Sequence, residues 1–153
     1  MVRAAGLPLP CLWWQTISTT RGGQTMKEKI LIVEDNPQNM RLVEMTLKGG
    51  GYVLLKATDG EEALDLATRE QPDLIIMDMQ LPKLSGLEVT RRLRQISAFN
   101  CIPIIALTAY AMKGEREKFI EAGCDAYVSK PINTRELPGM VTKMLQQRQN
   151  DNN

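Results

Sequence analysis

The chain has 153 residues, 43% apolar and 24% charged, values that suit one globular domain around one core. A formal net charge of +1 sets up no strong field toward nucleic acid or acidic membrane, and no apolar run approaches the roughly 20 residues of a membrane-spanning helix. Histidine is absent, which excludes Ser-His-Asp and Cys-His catalysis, histidine metal sites and a phosphohistidine on this chain; Cys11, Cys101 and Cys124 form no zinc pattern and read as free thiols in a reducing compartment.

Residues 1–25 hold both tryptophans, two arginines and no acid, so residues 26–153 carry 17 basic against 18 acidic side chains. Pro8 and Pro10 break the apolar stretch that a secretory signal needs. This segment is expected to be a disordered extension, or the result of a start codon assigned too early. Lys29–Val33 (KILIV) reads as a strand. A helix over 37–48 follows, with Asn36 as N-cap, Pro37 in first position, Met40, Val43 and Leu47 inward, and glycines 49–51 as its stop. A second strand is read over 52–56 and a second helix over 61–69, with Ala63, Leu66 and Ala67 inward.

The run Asp73-Leu74-Ile75-Ile76-Met77-Asp78 reads as a strand buried on both faces that ends on a carboxylate. Ser85 and Glu88 form a capping box for a third helix that turns Val89, Leu93 and Ile96 inward. A fourth strand is expected over 102–107, a fourth helix over 114–122 and a fifth strand over 126–128. The last helix starts after Asn133, with Leu137, Val141, Met144 and Leu145 on one face and Pro138 costing a hydrogen bond in its early turns. Strands alternating with helices predict a parallel α/β sheet covered on both faces, with ligands bound beyond the carboxyl ends of the strands.

Those ends carry the chemistry. Strand one leads into Glu34-Asp35, strand three ends in Asp78, strand four in Thr108, and strand five leads to Ser129-Lys130-Pro131. Taken singly each has a plain reading, as a helix start, a cap or a turn. Together they place three carboxylates, a hydroxyl and an ammonium on one edge. Adjacent carboxylates repel, and oxygen-only ligands favour a hard cation, Mg²⁺ above all. A carboxylate can also act as a nucleophile and form an acyl phosphate, and Asp78 on the central strand is best placed to do so.

Over about residues 27–145 the motifs LIVEDN, DLIIMDMQLPKLSGLEV and IIALTAYAMKGEREKFIEAGCDAYVSKP resemble the receiver domain of two-component response regulators, in wording nearest to single-domain receivers and to receivers attached to hybrid histidine kinases. The resemblance implies a flavodoxin-like (βα)5 doubly wound sheet in strand order 2-1-3-4-5, a receiver over 26–147 and a flexible tail over 148–153. It implies that Asp78 accepts a phosphoryl group from the phosphohistidine of a sensor histidine kinase or histidine phosphotransfer protein. Glu34, Asp35, Asp78 and the backbone carbonyl of Gln80 would hold Mg²⁺. Thr108 and Lys130 would each meet a phosphoryl oxygen, beside a small Ala109, and Lys130–Pro131 would be a cis peptide. Tyr127 would be the switch aromatic, and a downstream protein would dock on the face of helix four, strand five and helix five. Tyr110 is expected to shield the acyl phosphate from water.

On this reading the chain is cytoplasmic, has no DNA-binding domain and no membrane contact, and catalyses only its own phosphorylation and dephosphorylation. An aspartyl-phosphate phosphatase would need an acid at position 80, where Gln80 stands. A flavodoxin-like carrier would meet Glu34-Asp35 where it needs a phosphate loop, and a P-loop is absent. Arg91, Arg92 and Arg94 read as a basic solvated face rather than a DNA contact. The residues after the last helix are too few for an output domain.

Overall fold

The computed structural model describes residues 27–109 and 112–151. Within them five strands and five helices alternate: β1 (Lys29–Val33), α1 (Pro37–Leu47), β2 (Val53–Ala57), α2 (Gly60–Glu70), β3 (Leu74–Asp78), α3 (Gly86–Gln95), β4 (Ile104–Thr108), α4 (Lys113–Ala122), β5 (Ala126–Ser129) and α5 (Glu136–Asp151). Every pairing is parallel and the sheet order is β2-β1-β3-β4-β5. This is the flavodoxin-like order expected from the sequence.

Side-chain parity along the strands splits the core in two. Leu31, Val33, Ile75, Met77, Ile104 and Ala106 face α2, α3 and α4. Ile30, Ile32, Leu74, Ile76, Ile105 and Leu107 face α1 and α5. All five residues of β3 and of β4 are buried, so these central strands need the apolar runs seen in the sequence.

Local chemistry sets the ends. The Asn36 side chain accepts from the N–H groups of Gln38 and Asn39, and Ser85 Oγ accepts from Glu88 N–H. Asp59 Oδ1 accepts from Glu62 N–H while the Glu62 carboxylate accepts from Thr58, a reciprocal cap at the start of α2. Gly51, at φ 73°, ends the turn after α1 in a left-handed conformation. Gly86 opens α3 hard against the end of β3. A Cβ there would lie 2.0 Å from the carbonyl oxygen of Asp78 and 2.9 Å from Cα of Met79.

Several expectations change. Ile96 is not inward: α3 stops at Gln95, Ile96 caps it with extended backbone and is 40% exposed, and Thr90 takes a buried place instead. Pro138 keeps its expected cost: Leu137 N–H already bonds the Asn133 carbonyl in helical fashion at 3.1 Å, and Pro138, next in line, has no N–H to continue the ladder. The expected tail from 148 is helical through Asp151, since Arg148 is buried and donates to the carbonyl and carboxylate of Asp73 at 3.0 and 2.8 Å. Arg94 does not belong to a solvated face. Its guanidinium donates to the carbonyls of Gly123, Phe99 and Ile102 and to the Asp125 carboxylate, joining α3 to the loops before β4 and β5. Cys124 is a free buried thiol, pushed up to about 11 chiefly by burial. Cys101 is disulfide-bonded, against the expectation of free thiols. The expectations for residues 1–25, Cys11 and Tyr110 lie outside the described residues.

Gly86→Ala is predicted to cost about 1–3 kcal/mol, since the added methyl meets backbone that cannot turn aside. Gly139→Ala in α5, where a Cβ meets nothing within 4 Å, should instead stabilise by about 0.5–1 kcal/mol. Urea denaturation of the two variants measures both.

Candidate functional site

Parallel pairing carries the ends of β1, β3, β4 and β5 to one edge, and the site forms there. Val33, the last residue of β1, pairs with Met77, so Glu34 lies level with Asp78. Asp78 pairs with Leu107, and Thr108 with Ser129. Lys130 follows, its N–H bonded to the Thr108 carbonyl at 2.7 Å. The Lys130–Pro131 peptide is cis.

Glu34 and Asp78 are each only 1% exposed. Two buried carboxylates side by side are costly unless a cation faces them. Lys130 supplies it: Nζ lies 3.0 Å from Glu34 Oε2 and 3.0 Å from Asp78 Oδ2. The other oxygen of each acid is held by backbone. Asn36 N–H donates to Glu34 Oε1 at 3.1 Å, and Gln80 N–H donates to Asp78 Oδ1 at 3.0 Å. Burial raises the Glu34 carboxyl above the ordinary 4.5, with the Asp78 charge adding to it and the Asn36 and Lys130 contacts opposing. For Lys130, burial pulls downward, but its contacts with Asp78 and Glu34 outweigh that and hold the ammonium above 10.5.

One cation does not satisfy this edge. Glu34 Oε2 meets Lys130 at ion-pair distance yet has no aligned hydrogen-bond donor, and it is buried. One carboxylate oxygen from each of Glu34, Asp35 and Asp78 lies within 4.8 Å of the others, Asp35 being exposed. Around an octahedral Mg²⁺, at Mg–O lengths of about 2.1 Å, neighbouring oxygens stand about 3.0 Å apart and opposite ones about 4.2 Å. The three acids are near enough for one ion to draw their oxygens together, and an all-oxygen donor set selects a hard ion.

The remaining residues stand around this centre. Gln80 is exposed in the bend after β3, where its N–H is the group that meets the Asp78 carboxylate. Thr108 is buried at the end of β4 and Ala109 is exposed beside it. Tyr127 lies half-buried in the edge strand β5, with the Arg116 guanidinium 4.7 Å from its ring centroid. The sequence shows Asn36 as a cap but not its N–H on Glu34. Nor does it show the close approach of Gly86 to Asp78 or the Arg116–Tyr127 stack. The spacing Glu34-x-Asn36 is a usable signal for the first, because a side chain two residues before a cap can reach the cap's own N–H.

Comparison with known proteins agrees with this arrangement. The family model described as the response regulator receiver domain matches residues 30–142. A polar-differentiation response regulator DivK from Brucella anthropi is 49% identical over 108 residues, 71% of this chain and 88% of that protein. The chemotaxis protein CheY4 of Vibrio cholerae superposes with a TM-score of 0.74 at 28% identity, covering 78% of this chain and 99% of that one. The receiver domain of the sensor histidine kinase PA1611 from Pseudomonas aeruginosa superposes with a TM-score of 0.73 at 38% identity, covering 79% and 99%. That structure holds a magnesium ion coordinated in its active site cleft.

Lys130→Met is predicted to cost about 3–5 kcal/mol at neutral pH without divalent ions, because it strands two buried carboxylates. The sign with pH comes from Glu34. A carboxyl raised above its unfolded value contributes stability that is present below 4.5 and is lost as pH rises through the raised value. Losing Lys130 raises it further, so the gap between variant and wild type should narrow as pH falls. Urea unfolding at several pH values checks this.

Proposed function

The chain belongs to the response regulator receiver family, and from that premise we propose that it is a phosphoryl-accepting switch in which Asp78 receives the group from a partner's phosphohistidine. One observation carries the proposal: Lys130 faces the buried Glu34 and Asp78 carboxylates at 3.0 Å, within a three-carboxylate cluster.

Glu34, Asp35, Asp78 and the Gln80 backbone carbonyl are the proposed Mg²⁺ ligands, and the ion, when bound, would neutralise charge on the phosphoryl oxygens. The chain's own residues do the rest. The Gln80 N–H holds Asp78 Oδ1 and fixes the carboxylate plane. An Asp78 oxygen attacks phosphorus; the new O–P bond forms as the P–N bond of the phosphohistidine breaks, and its electron pair stays on the imidazole nitrogen. Lys130 gives up its contact with the Asp78 carboxylate and meets a phosphoryl oxygen. Thr108, at the end of the adjoining strand, is the hydroxyl nearest along the sheet edge to receive another. The added charge of roughly −1 to −2 then biases Thr108, Lys130 and Tyr127 toward a second arrangement, and the face of α4, β5 and α5 presents it to a downstream protein.

The proposed partners are a sensor histidine kinase or a histidine phosphotransfer protein, and the proposed location is the cytoplasm. No described helix is long and apolar enough to cross a membrane. The chain is read as catalysing only its own phosphorylation and dephosphorylation. A second reading, a receiver module detached from a hybrid histidine kinase or a phosphorelay shuttle to a histidine phosphotransfer protein, draws on the 38% identity to the receiver of the sensor histidine kinase PA1611.

Incubation with a phosphorylated histidine phosphotransfer protein and Mg²⁺ should add one phosphoryl mass to the intact chain. Asp78→Asn should abolish the addition, while Asp35→Asn should slow it at least tenfold and raise the Mg²⁺ concentration needed. Undiminished labelling of Asp78→Asn contradicts the proposal.

A further inference from the structure

The helix that follows the proposed switch hydroxyl is held unevenly. At its amino end, near the site, α4 has Met112 as cap, with no side-chain hydrogen bond, and Met112 is 72% exposed. At its carboxyl end it is pinned: Gly123 N–H bonds Ile120, Cys124 N–H bonds Phe119, and the Gly123 carbonyl accepts from Arg94 at 2.9 and 2.8 Å. Among the described residues, then, the site end of α4 has no side-chain cap, while its far end is tied to α3. Arg116 closes the first turn there, its N–H bonded to the Met112 carbonyl at 3.2 Å, and its guanidinium reaches over to β5 and stacks on Tyr127. Tyr127 sits two residues before Ser129, the partner of Thr108, and three before Lys130. A cavity of about 510 Å³ lined in part by Arg116, Ile120, Tyr127, Ser129 and Met140 gives the ring room on one side, so packing alone does not fix it.

We infer that Arg116 is a positioning residue that holds the Tyr127 ring in its half-exposed place and so sets the resting bias of the switch. The inference rests on the receiver reading above, in which Tyr127 has two positions. A guanidinium attracts a ring only within about 6 Å of its centroid. The stack thus favours the position seen here and is lost when the ring moves away. An interaction made in one of two states shifts their ratio by its full differential worth. At an exposed site a cation–π contact corresponds to roughly a two- to fivefold change in that ratio. Arg116 also joins the ring to the first turn of α4.

The test uses the full chain labelled with 3-fluorotyrosine, with the Tyr127 fluorine resonance assigned by Tyr127→Phe. In wild type, beryllofluoride with Mg²⁺, a mimic of the acyl phosphate, should move that resonance. In Arg116→Met without beryllofluoride, the population at the moved position should rise two- to fivefold, and Arg116→Lys, which keeps the cation without the flat stack, should fall between. A free Arg116→Met spectrum that superimposes on wild type overturns the inference and leaves the receiver reading standing. A wild-type resonance that ignores beryllofluoride, while Asp78 still takes phosphate, overturns both the switch role of Tyr127 and the inference built on it.

Discussion

The ammonium of Lys130 between two buried carboxylates is the interaction on which the rest of this molecule depends. Glu34 and Asp78 come from strands 44 residues apart in sequence, and neither is tolerable at 1% exposure without a cation. Lys130 offsets their charge only in part. Three carboxylates still face one ammonium, and the buried Glu34 Oε2 lacks an aligned donor. The imbalance is local and geometric; under the proposed function a divalent cation would offset it, and a phosphoryl group on Asp78 would add negative charge back.

The fold serves to hold this edge in place while leaving part of it able to move. Parallel pairing brings the strand ends together, and the two apolar layers hold the sheet from both faces. The opposite, amino-terminal edge carries a second set of polar contacts between elements. Arg148 ties the end of α5 to Asp73, whose carboxylate also accepts from Lys29 N–H, and Arg94 ties α3 to the Gly123 carbonyl and to Asp125, which accepts from Ile104 N–H. Such clamps anchor helices at one end. At the site edge α4 begins without a side-chain cap among the described residues, and Arg116 there stacks on Tyr127 of β5.

Much of this is legible in the sequence, and the reasons are specific. Leu74–Met77 and Ile104–Leu107 are buried on both faces, so their apolar runs mark strands without help from context. Once the strands are parallel, the residues at their exits meet at one edge, which is why Glu34, Asp35, Asp78, Thr108 and Lys130 can be picked out from sequence as candidates. The misses have a common cause. Ile96 fits the helical spacing of Val89 and Leu93, but the helix has ended, and boundaries depend on capping geometry. Arg94 and Arg148 look like surface residues because their acceptors are backbone carbonyls and acids far off in the chain. The Arg116–Tyr127 stack joins residues 11 apart across a helix and a strand, and no periodicity encodes such a contact.

The central claim is that Glu34, Asp35 and Asp78 share one hard cation opposite Lys130. Crystals of the full chain grown with Mn²⁺ in place of Mg²⁺ test it most directly through the anomalous signal of the metal. The account predicts a single strong peak among the three carboxylates, bonded to an oxygen of each, with the Lys130 ammonium on the facing side. A metal bound elsewhere, or a Lys130 side chain turned away from Glu34 and Asp78, would contradict it.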